Sequence, residues 1–331
     1  MHVVAAADKF RGTASARHVV AAIADAVRRA GGTCDQVPMG DGGEGTIDAV
    51  GGPNRVTTVT GPLGDPVQAR WRLKGTTAYI EMAAASGLVL VGGAEGNDPI
   101  AASTQGVGEL IGAALESGAK RIVVCVGGSA TTDGGLGCLR ALPPIPRLRG
   151  VKLEVACDVQ TRFVDAARVF APQKGATVAQ VELLRRRLER LVELYRDEYG
   201  VDVSEMDGAG AAGGLAGGLA AIGGRLIGGF DLVAEEVGLF ERIERADLVI
   251  TGEGFLDEQS FEGKVVGGVA ALAASAGVPV IAVAGDVFDG VDDRIEVLSL
   301  TARFGHERSM NDTSECISEI VLERLGHCQQ S

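Results

Sequence analysis

The sequence predicts an α/β protein in which a doubly wound domain is interrupted by an inserted domain of mixed strands. At both ends of the chain, short apolar runs bounded by glycine alternate with helix-period segments, the rhythm of parallel strands joined by helices. The middle opens instead with β-rich runs around a tight turn, the pattern of antiparallel pairing. The apolar content is 46%, mainly Ala, Val, Leu and Ile, and only 4% of residues are aromatic, which suits helices packed on buried parallel strands.

In chain order, residues 3–7 read as a short buried strand. A helix follows from about Ser15 to Ala30, stopped by Gly31-Gly32. A second strand spans Gln36 to Met39. Residues 55–61, 66–73 and 77–82 form the β-rich set, with the turn Gly61-Pro62-Leu63-Gly64-Asp65 between the first two. A helix at 104–118 precedes the strand Arg121–Val126, and another strand runs from Val151 to Cys157. The strongest helix is 178–198, with Val181, Leu184, Leu188, Leu191 and Leu194 near helical spacing and a solvated face of Arg and Glu. After Asp247 the α/β rhythm returns: strand 247–251, helix 264–276, strand 279–284, strand 296–300 and helix 313–325. The predicted partition joins 1–58 with 232–331 as the doubly wound domain and leaves 59–231 as the insertion.

Composition excludes several functions. The net charge is −13, without the basic footprint that a duplex-binding protein needs. The six cysteines form no C-x-x-C pair and the four histidines are scattered, so no zinc or haem spacing exists. The first residues have no basic region before an apolar core, and no apolar run reaches membrane length. The cytoplasm is the expected compartment.

Loops that combine glycine, a carboxylate and a hydroxyl follow predicted strands, the edge at which open α/β sheets bind ligands. Val126 to Gly137 contains Gly127-Gly128-Ser129 and Asp133. Its small residues let backbone N–H groups approach phosphate oxygens. No Walker motif and no G-x-G-x-x-G occurs. Thr251-Gly252-Glu253-Gly254 leads through Asp257 to Lys264, a cation at a helix start, where an anion would favour it. Gly40 to Thr46 holds Asp41 and Glu44, and a helix is expected to begin near Glu44. Asp8 to Thr13 sets Lys9 and Arg11 beside an acid, cations suited to a carboxylate. Asp158 ends the Val151–Cys157 strand, and Lys174 precedes the long helix.

The motifs Val37 to Thr46, Val59 to Gly64, Ile80 to Ala83 with Ala85 to Leu88, Gly127 to Gly135, Pro172 to Ala176, Gly208 to Gly214, and Thr251 to Gly254 with Gly263-Lys264 resemble the successive signatures of bacterial glycerate kinases of the glycerate 2-kinase type. The resemblance runs from residue 3 to about 285. It implies a flavodoxin-like domain and a domain similar to the restriction-endonuclease core. It also implies ATP, Mg²⁺ and D-glycerate, with a 2-phosphoglycerate product favoured. The chain departs from the pattern at Lys9 and Arg11, in a short Ala141–Val155 segment, and at Gln160 to Phe163.

The expected chemistry is in-line phosphoryl transfer, which rests on positioning and electrostatic stabilisation. Gly127, Gly128, Ser129, Thr251 and Glu253 are assigned to the nucleotide and its phosphates, and Asp41 and Asp158 to the metal. Lys9, Arg11, Ser86 and Asp257 are assigned to the substrate. Lys264 and Lys174 would neutralise the transferring group, and Asp133 would accept the hydroxyl proton. The alternatives are a kinase for another small hydroxy acid or sugar acid, and a non-catalytic ligand-sensing relative. The partners expected are small molecules, with no nucleic acid and no membrane, and a homodimer is an open alternative.

Overall fold

The computed structural model describes residues 1–10, 12–142, 144–261, 264–288 and 295–328. These contain eleven strands: β1 His2–Ala7, β2 Thr33–Pro38, β3 Arg55–Thr60, β4 Pro66–Lys74, β5 Thr77–Glu81, β6 Arg121–Cys125, β7 Lys152–Ala156, β8 Arg225–Ile227, β9 Leu248–Leu256, β10 Val280–Val287 and β11 Glu296–Ser299. The chain divides into two compact units. The first comprises residues 1–41, 48–50 and 229–331, and the second 42–47 and 51–228.

The first unit holds a sheet of order β11-β10-β9-β1-β2 in which every pair is parallel. Numbered within the unit, this is the flavodoxin-like order 2-1-3-4-5, whose switch point lies between β1 and β9. Val3, Ala5 and Ala7 face Ile23 and Ile317 of the helices Ala16–Arg29 and Thr313–Cys328. Val4 and Ala6 face Phe230 and Val269 of the helices Gly229–Val237 and Val265–Ala276. Both faces of β1 are therefore covered, which is why its sequence is a continuous apolar run.

The second unit holds a sheet of order β3-β4-β5-β6-β7-β8. β3, β4 and β5 pair antiparallel, and β5 through β8 pair parallel, giving the mixed sheet expected. One face packs on the helix Gln105–Glu116 through Val107, Leu110 and Ile111. Glu154 of β7 is buried and accepts from Arg121 on β6 and Arg225 on β8 while pairing with Lys152, so one carboxylate joins three strands. Burial would raise its pKa, but these cations hold it at about 2. The helix Val178–Tyr199 begins in a capping box between Thr177 and Gln180 and ends at Gly200, whose φ is 71°. Leu184, Leu188, Leu191 and Tyr195 are its buried stripe.

The structure differs from the sequence reading in three places. β9 continues to Leu256, so Gly252 and Gly254 lie within a strand and not in a loop. A Cβ on Gly252 would sit 2.4 Å from the Val283 carbonyl oxygen, so this glycine marks a close strand approach. The segment from Gly208 to Gly224 contains a helix at Leu215–Ala221 in which every residue is buried. With no solvent face it shows no amphipathic period. The expected helix near Glu44 is the short Thr46–Ala49, and its N-terminal amides are met by Glu81. No helix among the described residues is long and apolar enough to cross a membrane.

Candidate active site

In the first unit, Asp8 and Asp41 follow the carboxyl-terminal ends of β1 and β2, and Glu253 lies on β9 one residue past its last pairing with β1, around the switch point. Asp8 follows β1 directly, its N–H donating to the Gly252 carbonyl oxygen at 2.9 Å. Burial pushes its carboxyl up to about 7; the charges of Asp41 and Glu253 push the same way, against Lys9 and its backbone N–H. Glu253 is also raised, first by burial and then by Asp257 and Asp41, against a hydrogen bond from Ser260 and the charge of Lys264. Oε1 of Glu253 and Oγ1 of Thr251 are buried without a hydrogen-bond partner. Clustered carboxyls that raise one another's pKa are a place where a cation is favoured. Among the described residues, no group of three His, Cys, Asp or Glu could hold a metal ion by itself.

The other expected residues of this unit have definite positions. Lys264 immediately precedes the helix Val265–Ala276 and makes no side-chain cap, while its charge acts on Glu253. Oδ1 of Asp257 accepts from the N–H and the hydroxyl of Ser260, at 3.0 and 3.1 Å, closing the short turn after β9. The Lys9 N–H donates to Asp8 Oδ1 at 2.7 Å. Arg11 lies outside the described residues.

In the second unit, the loop after β6 is built on close backbone approach. A Cβ on Gly127 would sit 3.0 Å from the Gly43 Cα, so the backbone at Gly43 and Glu44 lies directly against it. Gly45 and Ile47 donate their N–H groups to Glu81 Oε1 at 2.9 and 2.8 Å. Leu88 N–H donates to the Gly128 carbonyl, and Ala130 N–H to the Ser86 carbonyl. The Ser86 hydroxyl is buried and donates to the Ser103 carbonyl at 3.1 Å. Gly134 N–H donates to the Gly213 carbonyl, and a Cβ on Gly213 would sit 2.0 Å from the Thr131 oxygen.

Lys174 is 2% exposed, and its ammonium donates to Ser129 Oγ at 2.8 Å and to the Thr131 carbonyl at 2.6 Å. Burial pulls its pKa down to about 7, against the charge of Asp133. Asn97 joins the same segment, its amide donating to the carbonyls of Ala130 and Lys174. Oδ2 of Asp133 accepts the N–H and the hydroxyl of Thr104, both at 2.8 Å, and the Gly137 N–H at 3.2 Å. Oδ1 accepts from the Gly135 N–H at 3.1 Å. The hydroxyls of Thr131 and Thr132 are buried without partners. Asp158 follows β7 by two residues. Asn97, Thr104 and Glu81 were not anticipated from sequence. Their partners lie roughly thirty to eighty residues away, and no local spacing signals such contacts.

Two clusters thus gather acids, partnerless hydroxyls and glycine-lined backbone at the carboxyl ends of parallel strands, a chemistry suited to phosphate and its counter-cation. Comparison with known proteins agrees. A family model described as "Glycerate kinase family" matches residues 3–144 and 143–323. "Glycerate 2-kinase" of Escherichia coli K12 is 41% identical over 331 residues, covering 88% of this chain and 87% of that protein. "Glycerate kinase" of Halalkalibacterium halodurans is 40% identical, with 88% and 87% covered. The crystal structure of a protein assigned as glycerate kinase 2 from Salmonella typhimurium LT2 superposes with a TM-score of 0.83 at 33% identity, covering all of this chain and 98% of that one. The chain belongs to the glycerate kinase family, a family of kinase enzymes.

Proposed function

We propose that the protein transfers the terminal phosphoryl group of ATP to a hydroxyl of D-glycerate, the 2-hydroxyl being favoured, with Mg²⁺ as the counter-cation. The observation that carries this reading is the group of Asp8, Asp41 and Glu253 at the switch point, together with the partnerless Glu253 Oε1. Mg²⁺ in phosphotransferases is commonly held by one or two carboxylates plus substrate phosphates, so three protein ligands are not required. Asp41 and Glu253 are the proposed ligands, with Asp8 beside them; Asp158 is the alternative drawn from sequence. When bound, the ion would draw charge from the phosphate oxygens.

The chain's own groups do the rest. The backbone at Gly127 and Gly128 admits close approach of phosphate oxygens, and the hydroxyls of Thr131 and Thr132 supply donors. Lys264, at a helix start beside Glu253, meets the phosphate charge. Lys174 is given a different role from the one sequence suggested: its buried ammonium fixes Ser129 and the Thr131 carbonyl, and so holds the loop in shape. Ser86 likewise supports the loop, its buried hydroxyl donating to the Ser103 carbonyl oxygen. Asp133 takes the hydroxyl proton through Oδ1, while three donors on Oδ2 fix its orientation. Lys9 and Arg11 hold the substrate carboxylate. The reaction draws on cytoplasmic ATP, and the cytoplasm is the proposed location.

The test is ADP release from the purified protein with Mg·ATP, with and without D-glycerate, followed by phosphorus NMR of the product. Glycerate-dependent release with a 2-phospho product is expected. Glycerate-independent release, or none, removes the proposal. The departures at Lys9 and Gln160 favour one second reading, another C3 to C6 hydroxy acid, which a substrate panel would identify.

A further inference from the structure

In the second unit, the Lys174 ammonium stands 2.8 Å from Ser129 Oγ and 2.6 Å from the Thr131 carbonyl oxygen. An ammonium has donors only. Ser129 Oγ can therefore only accept from it, and the serine's own proton has to point elsewhere. Gly87 and Ser129 face each other in an isolated antiparallel bridge. The bonds of that bridge belong to their neighbours: Leu88 N–H donates to the Gly128 carbonyl and Ala130 N–H to the Ser86 carbonyl, both at 2.9 Å. The Ser129 N–H is thus directed away from Gly87. Among the described residues, that N–H, those of Gly127 and Gly128, and the Ser129 hydroxyl proton all lack an acceptor. A run of donors with nothing to donate to fits an anion with several oxygens. The Glu44 carboxylate comes within 3.6 Å of a Cβ built on Gly128, so an anion held there needs a positive charge nearby. Lys174 brings one.

We propose that the Ser129 hydroxyl donates a hydrogen bond to a phosphate oxygen of the nucleotide, and that Lys174 directs it there by occupying the serine oxygen from the protein side. This rests on the nucleotide-dependent reading above. Lys174, 2% exposed, is then a positioning residue that acts through Ser129 without meeting the phosphate itself. The direction of the bond depends on its proton. A neutral amine has a lone pair, so it accepts from the Ser129 hydroxyl and withdraws that donor from the ligand. Bound phosphate and the Lys174 proton therefore favour one another. Burial pulls the Lys174 pKa down to about 7, and Asp133 is the charged group that acts against this. Above that pH, binding a phosphate ligand should take up a proton, and affinity should fall by up to about tenfold per pH unit.

The experiment measures calorimetric affinities of the full chain for ADP and for inorganic tripolyphosphate, both with Mg²⁺, from pH 6.5 to 9, in wild type, Ser129→Ala, Ser129→Cys and Lys174→Met. At pH 6.5, Ser129→Ala should lose roughly 10- to 100-fold in affinity for both ligands, the range for one hydrogen bond to a charged group. Ser129→Cys, a weaker donor of similar shape, should fall between it and wild type. The ratio of wild-type to Lys174→Met affinity should be largest at pH 6.5 and shrink toward pH 9. At pH 8, wild type should take up more protons on binding than Lys174→Met. Affinities within twofold of wild type in Ser129→Ala overturn the proposal. So does a ratio to Lys174→Met that is constant in pH, which would mark a lysine that only holds the loop. Wild-type affinity that does not fall between pH 7 and 9 overturns it without recourse to any variant. Wild type that binds neither phosphate ligand overturns both this proposal and its premise. Wild type that turns over glycerate while Ser129→Ala binds ADP normally overturns the serine–lysine relay alone.

Discussion

Thr104 directs both of its donors, the backbone N–H and the side-chain hydroxyl, onto a single oxygen of Asp133, each at 2.8 Å. The same hydroxyl accepts from the Cys138 N–H at 2.9 Å, so Thr104 links the starts of two helices through one carboxylate. Oδ2 is thus committed to structure, while Oδ1, with one backbone donor, is the oxygen to which the proposed mechanism gives the substrate proton.

Asp133→Asn should therefore fold, since the amide can turn its oxygen toward Thr104 and Gly137. Turnover should fall on the order of 10²–10⁴-fold, as for loss of a general base. Asp133→Ala should in addition lose stability, about 2 kcal/mol or more, because several buried donors lose their acceptor. Urea titrations beside steady-state rates check this. Near-normal turnover in the asparagine variant would leave Asp133 only its structural role.

Stability should depend on pH through Lys174. Its folded pKa of about 7 lies below the ordinary 10.5, so between these values the unfolded chain holds a proton that the folded chain has lost. Stability should then rise with pH across that window, by at most about 1.4 kcal/mol per pH unit. Lys174→Met removes this contribution. Other groups titrate in both proteins, so the difference in unfolding free energy, measured from pH 6.5 to 10, isolates it. A difference that is flat in pH would mean that the amine is protonated throughout.

Gly252→Ala should destabilise by about 1–3 kcal/mol through overpacking, because its Cβ would meet the Val283 carbonyl at 2.4 Å. Gly12→Ala makes a useful contrast: its Cβ would meet nothing, but its φ of 81° would be strained, so any loss there is conformational. Denaturation midpoints at unchanged m-values report both.

Asp41→Asn and Glu253→Gln should each raise the Mg²⁺ concentration needed for half-maximal rate. In the absence of Mg²⁺ each should leave thermal stability unchanged or higher, since one of several mutually repelling carboxylates is gone. Melting curves with and without Mg²⁺ separate these effects. Loss of stability in both conditions would argue against the proposed cation site.

Much of this was legible in the sequence, for identifiable reasons. β1 declared itself because both of its faces are covered and Val3–Ala7 are apolar throughout. The long helix was evident from Leu184, Leu188 and Leu191. The buried helix at Leu215–Ala221 was hidden because periodicity needs a wet side and it has none. In each unit's cluster, the segments carrying Asp8, Asp41 and Glu253, and Asp133, stood out by composition. The division of labour among them did not, because it depends on partners such as Thr104, Asn97 and Glu81 that are close only after folding. Lys174 shows the limit clearly: a lysine before a helix reads as a cation for solvent or substrate, and only the fold reveals that it points inward.

The strand order of the first unit also bears on how the chain acquires its structure. Val3 pairs with Leu248, so one of the inner strands of that sheet finds one neighbour within a few dozen residues and the other only after the whole second unit. The second unit is nearly contiguous and needs no such wait. During synthesis from the N-terminus it should fold first, and its compaction would shorten the effective loop that β1 and β9 must close. Until β9 emerges, β1 presents an unpaired apolar edge, which makes the nascent N-terminal strands the segment most dependent on chaperone protection.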